Sequence, residues 1–345
     1  MKAKLLSLVS ILFVFQFAPV YSQSNQVEII DYYGSGYSVK NAQACLPFRE
    51  NDSVSFIDDD ALYTSSVIKI ESCLLKIPKI RQSEVSFVCC TQPGNKWMVY
   101  VGLDSAAAPA KPLNKTKDIK LPTELTSKYV KLMDLLIEAI ELNKTEEDNS
   151  NGHSMIVYEP GHSIQEQFIT YANANLELLR NVLRNSKYPE QREVAAYVIA
   201  YHDNKNEIVP DLIKAIDDSE DGVRNNAIRA VNIIAEFALT WPELNISIDT
   251  KPFIKLMNSI SWTDRNKSSL VLLSLTQTRK PEIMRELKST ALKSIIDMAG
   301  WRNFGHSLPG YILLGRLVGW SEQVIMSGVN NERKAQVDEM LRALK

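Results

Sequence analysis

The chain has 345 residues, 45% of them apolar, with 39 Lys plus Arg against 41 Asp plus Glu. A formal charge of −2 removes the electrostatic basis for a nucleic-acid or anionic-membrane partner. The 13 Gly and 14 Pro exclude a collagenous or low-complexity chain, and the length predicts two domains.

Residues 1–22 read as a secretory signal peptide. Lys2 and Lys4 give a positive start, Leu5 to Phe15 an apolar run, and Val20-Tyr21-Ser22 a small-residue cleavage pattern, which predicts cleavage after Ser22. The apolar run is shorter than the roughly 20 residues a spanning helix needs. The cluster from Tyr311 to Trp320 is also short and carries Arg316, so it reads as a packed helix, and no membrane span is expected after cleavage. The mature protein is expected in an oxidising compartment, secreted or periplasmic.

Residues 23–105 read as a small β-rich domain. Ser83 to Cys90 and Trp97 to Leu103 carry strand signals, and the Pro93-Gly94 turn between them predicts a hairpin. Val27 to Tyr33 and Val67 to Ile70 are further strand candidates. Cys45, Cys73, Cys89 and Cys90 read as disulfide partners, and no Cys-x-x-Cys spacing favours zinc. Neighbours on a strand face opposite sides, so Cys89 and Cys90 are expected to reach separately to Cys45 and Cys73, in either pairing. Two such bonds would compensate for the limited core of about 80 residues.

Residues 106–122, small, Pro-rich and charged, read as a semi-rigid linker. From 123 to 345 the period changes to that of helices. Leu125, Tyr129, Leu132, Leu136 and Ile140 form one amphipathic stripe, and Ser163 with Glu166 forms a capping box before a second helix that carries Ile164, Phe168, Ala172, Leu176, Leu179 and Leu183.

Paired helices then repeat, most clearly over 176–238. At an offset of about 32, Arg192 falls on Arg224, Ala195 on Ala227 and Ile199 on Val231; at about 41, Arg224 falls on Arg265. Weaker copies follow at about 250–277 and 288–320, where Ser259 to Asp264 replaces the acidic turn and Leu308-Pro309-Gly310 interrupts the last repeat. The last helix, opened by Asn330 to Arg333, is expected to cap the stack.

The segment from Ile208 to Val231 resembles a HEAT repeat: an apolar first helix, an acidic turn at Asp217 and Asp218, then Val223, Arg224 and the small Ala227 opening the second helix. The resemblance implies an α-solenoid whose repeat surface binds a protein or peptide; independently, the acidic turns place carboxylates at helix N-termini within reach of the following arginine, so Arg192, Arg224 and Arg265 read as structural. The fold class expected is therefore α+β overall, a disulfide-linked β-rich domain followed by an all-α HEAT-like solenoid.

Signals of chemistry are sparse. Three histidines lie in Gly-His-Ser triplets at His153, His162 and His306, where the glycine permits a turn and the serine caps the coming helix. The sharper alternative gathers His153, Glu159, His162 and Glu166 into a metal or hydrolase site at the domain junction. No closed ligand set such as His-Glu-x-x-His, no Gly-x-Ser-x-Gly and no phosphate loop is present. The acidic run Asp58 to Asp60 reads as a solvated loop, and Tyr32, Tyr33, Tyr37, Trp241, Trp262, Trp301 and Trp320 are candidates for aromatic binding edges. The reading is a non-enzymatic interaction protein without a cofactor, with an extracytoplasmic enzyme as the alternative.

Overall fold

The computed structural model describes residues 25–91, 96–107, 115–329 and 333–344. The expected signal peptide, the Pro93-Gly94 turn and residues 108–114 of the Pro-rich stretch lie outside the described residues. Three strands, β1 (Gln26–Gly34), β2 (Gln82–Thr91) and β3 (Lys96–Asp104), form a mixed sheet with β3 in the centre. β3 runs parallel to β1 and antiparallel to β2.

Between β1 and β2 the chain forms α1 (Val39–Gln43) and α2 (Asp60–Leu74). The expected strand at Val67 to Ile70 is thus corrected: these residues are helical. The Asp59 carboxylate, within the acidic run, accepts from the Leu62 N–H and starts the helix, and Ile70 and Leu74, four apart, turn into the core. The head is consequently a mixed αβ unit, with α2 under one face of the sheet.

The cysteine pairing is also corrected. Cys45, just after α1, bonds Cys73 near the end of α2, closing a separation of 28 residues. Cys89 is disulfide-bonded but not to either of these, and the Cys90 side chain lies outside the described residues.

The rest is a helical-repeat solenoid. Helices α3 (Thr123–Glu141) and α4 (Glu159–Ala174) lead into four pairs. These are α5 (Leu176–Asn185) with α6 (Pro189–Ile199), α7 (Lys205–Ala215) with α8 (Asp221–Thr240), α9 (Lys251–Leu256) with α10 (Trp262–Leu275), and α11 (Pro281–Ala299) with α12 (Phe304–Leu317). The second helices stack in series, α6 on α8, α8 on α10 and α10 on α12, so neighbouring hairpins share one core. Helices α13 (Glu322–Ser327) and α14 (Arg333–Ala343) pack on α12. A short ribbon, β4 (Glu147–Asp148) with β5 (Met155–Ile156), joins α3 to α4.

Two helix starts differ from the expected caps. Helix α4 begins at Glu159 with Pro160 in its first turn, so Ser163 lies inside it; α12 is capped by Asn303, whose side chain accepts from the His306 N–H. The Ser307 hydroxyl bonds back to the Asn303 carbonyl. Pro309 and Gly310 sit within a continuous α12, where Gly310 lets the helix approach Met298 and Ala299 of α11. Helix α3 also departs from its expected stripe, since Ile140 is exposed.

The sheet is covered on both faces. Val99, Val101 and Leu103 of β3 face the head's own core with Ile70, Leu74 and Val85, whereas Met98 and Tyr100 join the core of the solenoid. There the Tyr33 hydroxyl donates to the Ile260 carbonyl, Tyr100 shares a 2.7 Å hydrogen bond with His306 Nδ1, and Arg302 holds Asp31 at 2.9 Å. The Tyr100 ring stacks on Trp262 and tilts against Trp301. Gly102 lies so close to the Ile260 carbonyl that a Cβ would come within 2.2 Å of that oxygen.

The turns between paired helices form one edge of the solenoid; the sheet meets it at Ile260 and Arg302, and residues 115–121 run along its other end. The Lys117 N–H donates to the Asn185 carbonyl, the Ser186 hydroxyl to the Ile119 carbonyl, and Lys115 binds Asp218. Gly102→Ala is expected to push the sheet off this edge and to cost about 1–3 kcal/mol, as overpacking of a filled contact does. Urea denaturation followed by tryptophan fluorescence would show the loss, and an unchanged midpoint would mean the close approach is not maintained in solution.

Candidate functional site

A cleft of about 720 Å³ opens where β2, the edge strand of the sheet, faces the solenoid. One wall is Tyr63, Val67 and Glu71, spaced four apart along one side of α2. The floor is β2 itself from Ser83 to Cys89, with Trp97 of β3. The opposite wall comes from the repeats: Asp221 at the start of α8, and Ser261, Trp262 and Thr263 at the start of α10.

The edge of β2 is guarded. The Val85 N–H donates to the Glu71 carboxylate at 2.9 Å, and the Phe87 backbone bonds the Tyr63 hydroxyl. These side chains occupy the backbone groups that an added strand would need at both positions. What the cleft offers is therefore its side chains.

Those side chains are carboxylates and rings. Glu84 leans toward the solenoid, where the Ser261 hydroxyl bonds its carboxyl; burial and, less strongly, the nearby Asp221, Asp264 and Glu71 push it from its ordinary 4.5 to about 7. Burial also raises Glu71. Asp221 and Asp264 are bound by Arg224. Phe87 packs edge-on against Tyr63 and Phe56, and Trp262 stacks on Tyr100 with its indole N–H buried and unpartnered. The cleft can accept hydrogen bonds and positive charge against aromatic surface.

The residues singled out from sequence lie elsewhere, and the structure does not bring the four metal candidates together. His153 is buried beneath the ribbon, where its Nδ1 lies 3.1 Å from the Lys205 ammonium; burial and, second, that neighbouring charge push it down to about 4. His162 bonds the Ile156 carbonyl through Nδ1 and stands 3.7 Å from Glu166, while Glu159 accepts from Ser163. Among the described residues no three His, Cys, Asp or Glu side chains form a group able to hold a metal ion. The small cavity beside His153, about 20 Å³, is large enough for a water molecule only.

Arg192, Arg224 and Arg265 sit at successive turns between paired helices. Arg192 grips Asp218 through two nitrogens at 2.8 and 2.9 Å, Arg224 binds Asp264 at 3.0 Å, and Arg265 lies 4.4 Å over the Tyr33 ring with Asp297 at 3.8 Å. Of the aromatic candidates, Tyr33 and Trp301 are buried in the seam between head and solenoid, and Trp241 is exposed away from the cleft. The sequence reading missed Glu84 and Glu71. Glu84 alternates with Val85 as the polar half of a strand, and Glu71 lies on α2, so no local signal marks either.

No family model matches this chain, and no curated protein matches it. Among solved structures, it is similar to the designed armadillo repeat protein YIII(Dq)4CqI, with 16% identity over 54% of this chain and 94% of that chain, at a TM-score of 0.35. A second designed armadillo repeat protein, YIII(Dq.V1)4CPAF in complex with the peptide (KR)4, shows 15% identity over 65% of this chain and 100% of that chain, at a TM-score of 0.37. The likeness is coarse, and the repeat architecture rests on the helix stacking described above.

Glu84 gives this site a pH signature. Its native carboxyl titrates above the unfolded one, so folding takes up a proton between about pH 4.5 and 7, and stability falls as pH rises through that window. Glu84→Gln is expected to flatten the fall and to add on the order of 2 kcal/mol at pH 8 with little change at pH 4. Urea midpoints at the two pH values measure this, and an undiminished slope in the variant would assign the proton uptake to another group.

Proposed function

We propose that this protein is an exported, non-catalytic interaction protein whose HEAT-like repeat body and disulfide-linked head together hold a segment of a protein or peptide partner. The observation that carries the reading is the open cleft between β2 and the starts of α8 and α10, built by both parts and lined by carboxylates and rings. Clefts at such junctions favour binding, and partly buried rings are the side chains that supply most binding energy at protein interfaces. Two hydrophobic clusters, one within the head and one through the helices, support dividing the chain into a head of residues 23–105, a connection of 106–122 and a helical body from 123.

The Cys45–Cys73 bond supports an oxidising compartment, as does the basic, apolar and small-residue order of residues 1–22. The HEAT-like assignment is supported by the arginine that opens the second helix of three successive pairs, Arg192, Arg224 and Arg265.

Panning the intact protein against a displayed random-peptide library tests the reading. One sequence family should be enriched, and its affinity should fall at least tenfold when Ser86→Arg or Thr263→Arg fills the cleft, with circular dichroism unchanged. Failure to enrich any family, or binding indifferent to both substitutions, would overturn it.

A further inference from the structure

Glu71 and Glu84 of the cleft lack the arginine or lysine that the fold supplies to its fully buried carboxylates. Asp211 is 2% exposed and is bound by Arg180 and Arg184; Asp218 is 5% exposed and is bound by Arg192 and Lys115. Glu71, which accepts from the Val85 N–H, and Glu84, bonded by Ser261, are partly buried, and among the described residues neither forms an ion pair with a lysine or arginine. Partly buried carboxylates without a counter-charge are disfavoured in the ionised form, and the cost is relieved by a proton or by a cation.

The space beside them is walled by Trp97, Trp262, Phe87 and Tyr63, and reaches Asp221 on the far side. Arg224, the nearby cation, is already engaged by Asp221, Asp264 and the carbonyls of Asp218 and Ser219. An alkyl stem between rings with a positive head among carboxylates matches a lysine or arginine side chain, whose methylenes favour apolar surface and whose cation favours ring faces.

We propose that the cleft receives a lysine or arginine side chain of the partner, its cation set among Glu71, Glu84 and Asp221 and its stem against the ring wall. This rests on the peptide-binding reading and names the residue that anchors it. Basic side chains flanked by small or apolar neighbours suit the guarded edge of β2, because the anchor needs no added strand. A neutral isostere of the same length would leave the carboxylates without a counter-charge.

The test compares three probes on the full chain: Nα-acetyl-lysine amide, Nα-acetyl-arginine amide and the uncharged Nα-acetyl-norleucine amide. At millimolar concentration either basic probe should shift the indole N–H resonances of Trp97 and Trp262, and the norleucine probe should not. Glu84→Gln and Glu71→Gln should each weaken the basic probe at least threefold, and together at least tenfold, while each amide keeps the local hydrogen bonds. Equal shifts with norleucine, or none with either basic probe, would overturn the inference. The library above separates the two failures: cleft binders without enriched Lys or Arg would sink the basic anchor and leave peptide binding standing, whereas a library with no binders would sink both.

Discussion

A three-stranded sheet whose central strand is apolar on both sides cannot stand alone in water, and the rest of this molecule is arranged around that constraint. β3 turns Val99, Val101 and Leu103 toward α2 and Met98 and Tyr100 toward the repeats, so each face needs its own cover. The head supplies one cover and the solenoid the other. Gly102 fixes how closely they meet, and the Asp31–Arg302 pair with the Tyr33 and Tyr100 hydrogen bonds fixes their angle. With β3 pinned in this way, β2 is left as the edge facing the starts of α8 and α10. The cleft is thus a by-product of burying β3.

The same docking completes the arginine series. Each of the three arginines donates to the carbonyl six residues before it, at Ser186, Asp218 and Ser259, which closes its own turn. Each also lies toward a carboxylate further along the chain, at Asp218, Asp264 and Asp297, so the turns are tied in series. The first two ties are close; the third is 3.8 Å, and there Tyr33 of the head lies under the guanidinium. A buried cation with a distant counter-ion gains from a ring face. The head therefore compensates the weakest of the three ties, which binds the identity of β1 to the packing of the third repeat.

Much of the helical part was legible because its signal is local and periodic. The change to three-and-four spacing after Pro122 and the recurring arginine lie within short windows, as do the strands β2 and β3 of the head. The errors fell where the deciding partner is distant or where two local rules compete. Val67 to Ile70 is β-branched and reads as strand, yet the Asp59 cap and the burial of Ile70 and Leu74 make it helix. Ser163 and Ser307 look like caps, but Pro160 and Asn303 start their helices earlier. The cleft was illegible for the same reason. Glu84 looks like the polar half of an alternating strand until Ser261 and Trp262, far along the chain, arrive beside it.

The placement of the cleft also sets the proposed binding surface at the turn edge and not on the face formed by the second helices. That face is already engaged where α8 crosses it. Arg229 binds Glu147 of the ribbon and lies 3.3 Å from the Ser154 hydroxyl, and Lys267, pushed down to about 8 by burial and then by Arg229, lies in the same field. Behind them Gln165 and Tyr201 hold the Ser154 carbonyl, and Lys205 caps the carbonyls of Ala200 and His202. A ligand on this face would have to displace a paired arginine and a partly buried lysine. At the turn edge the balance is reversed, because Glu71 and Glu84 are partly buried without a counter-charge, and an incoming cation relieves a cost that the folded chain already bears.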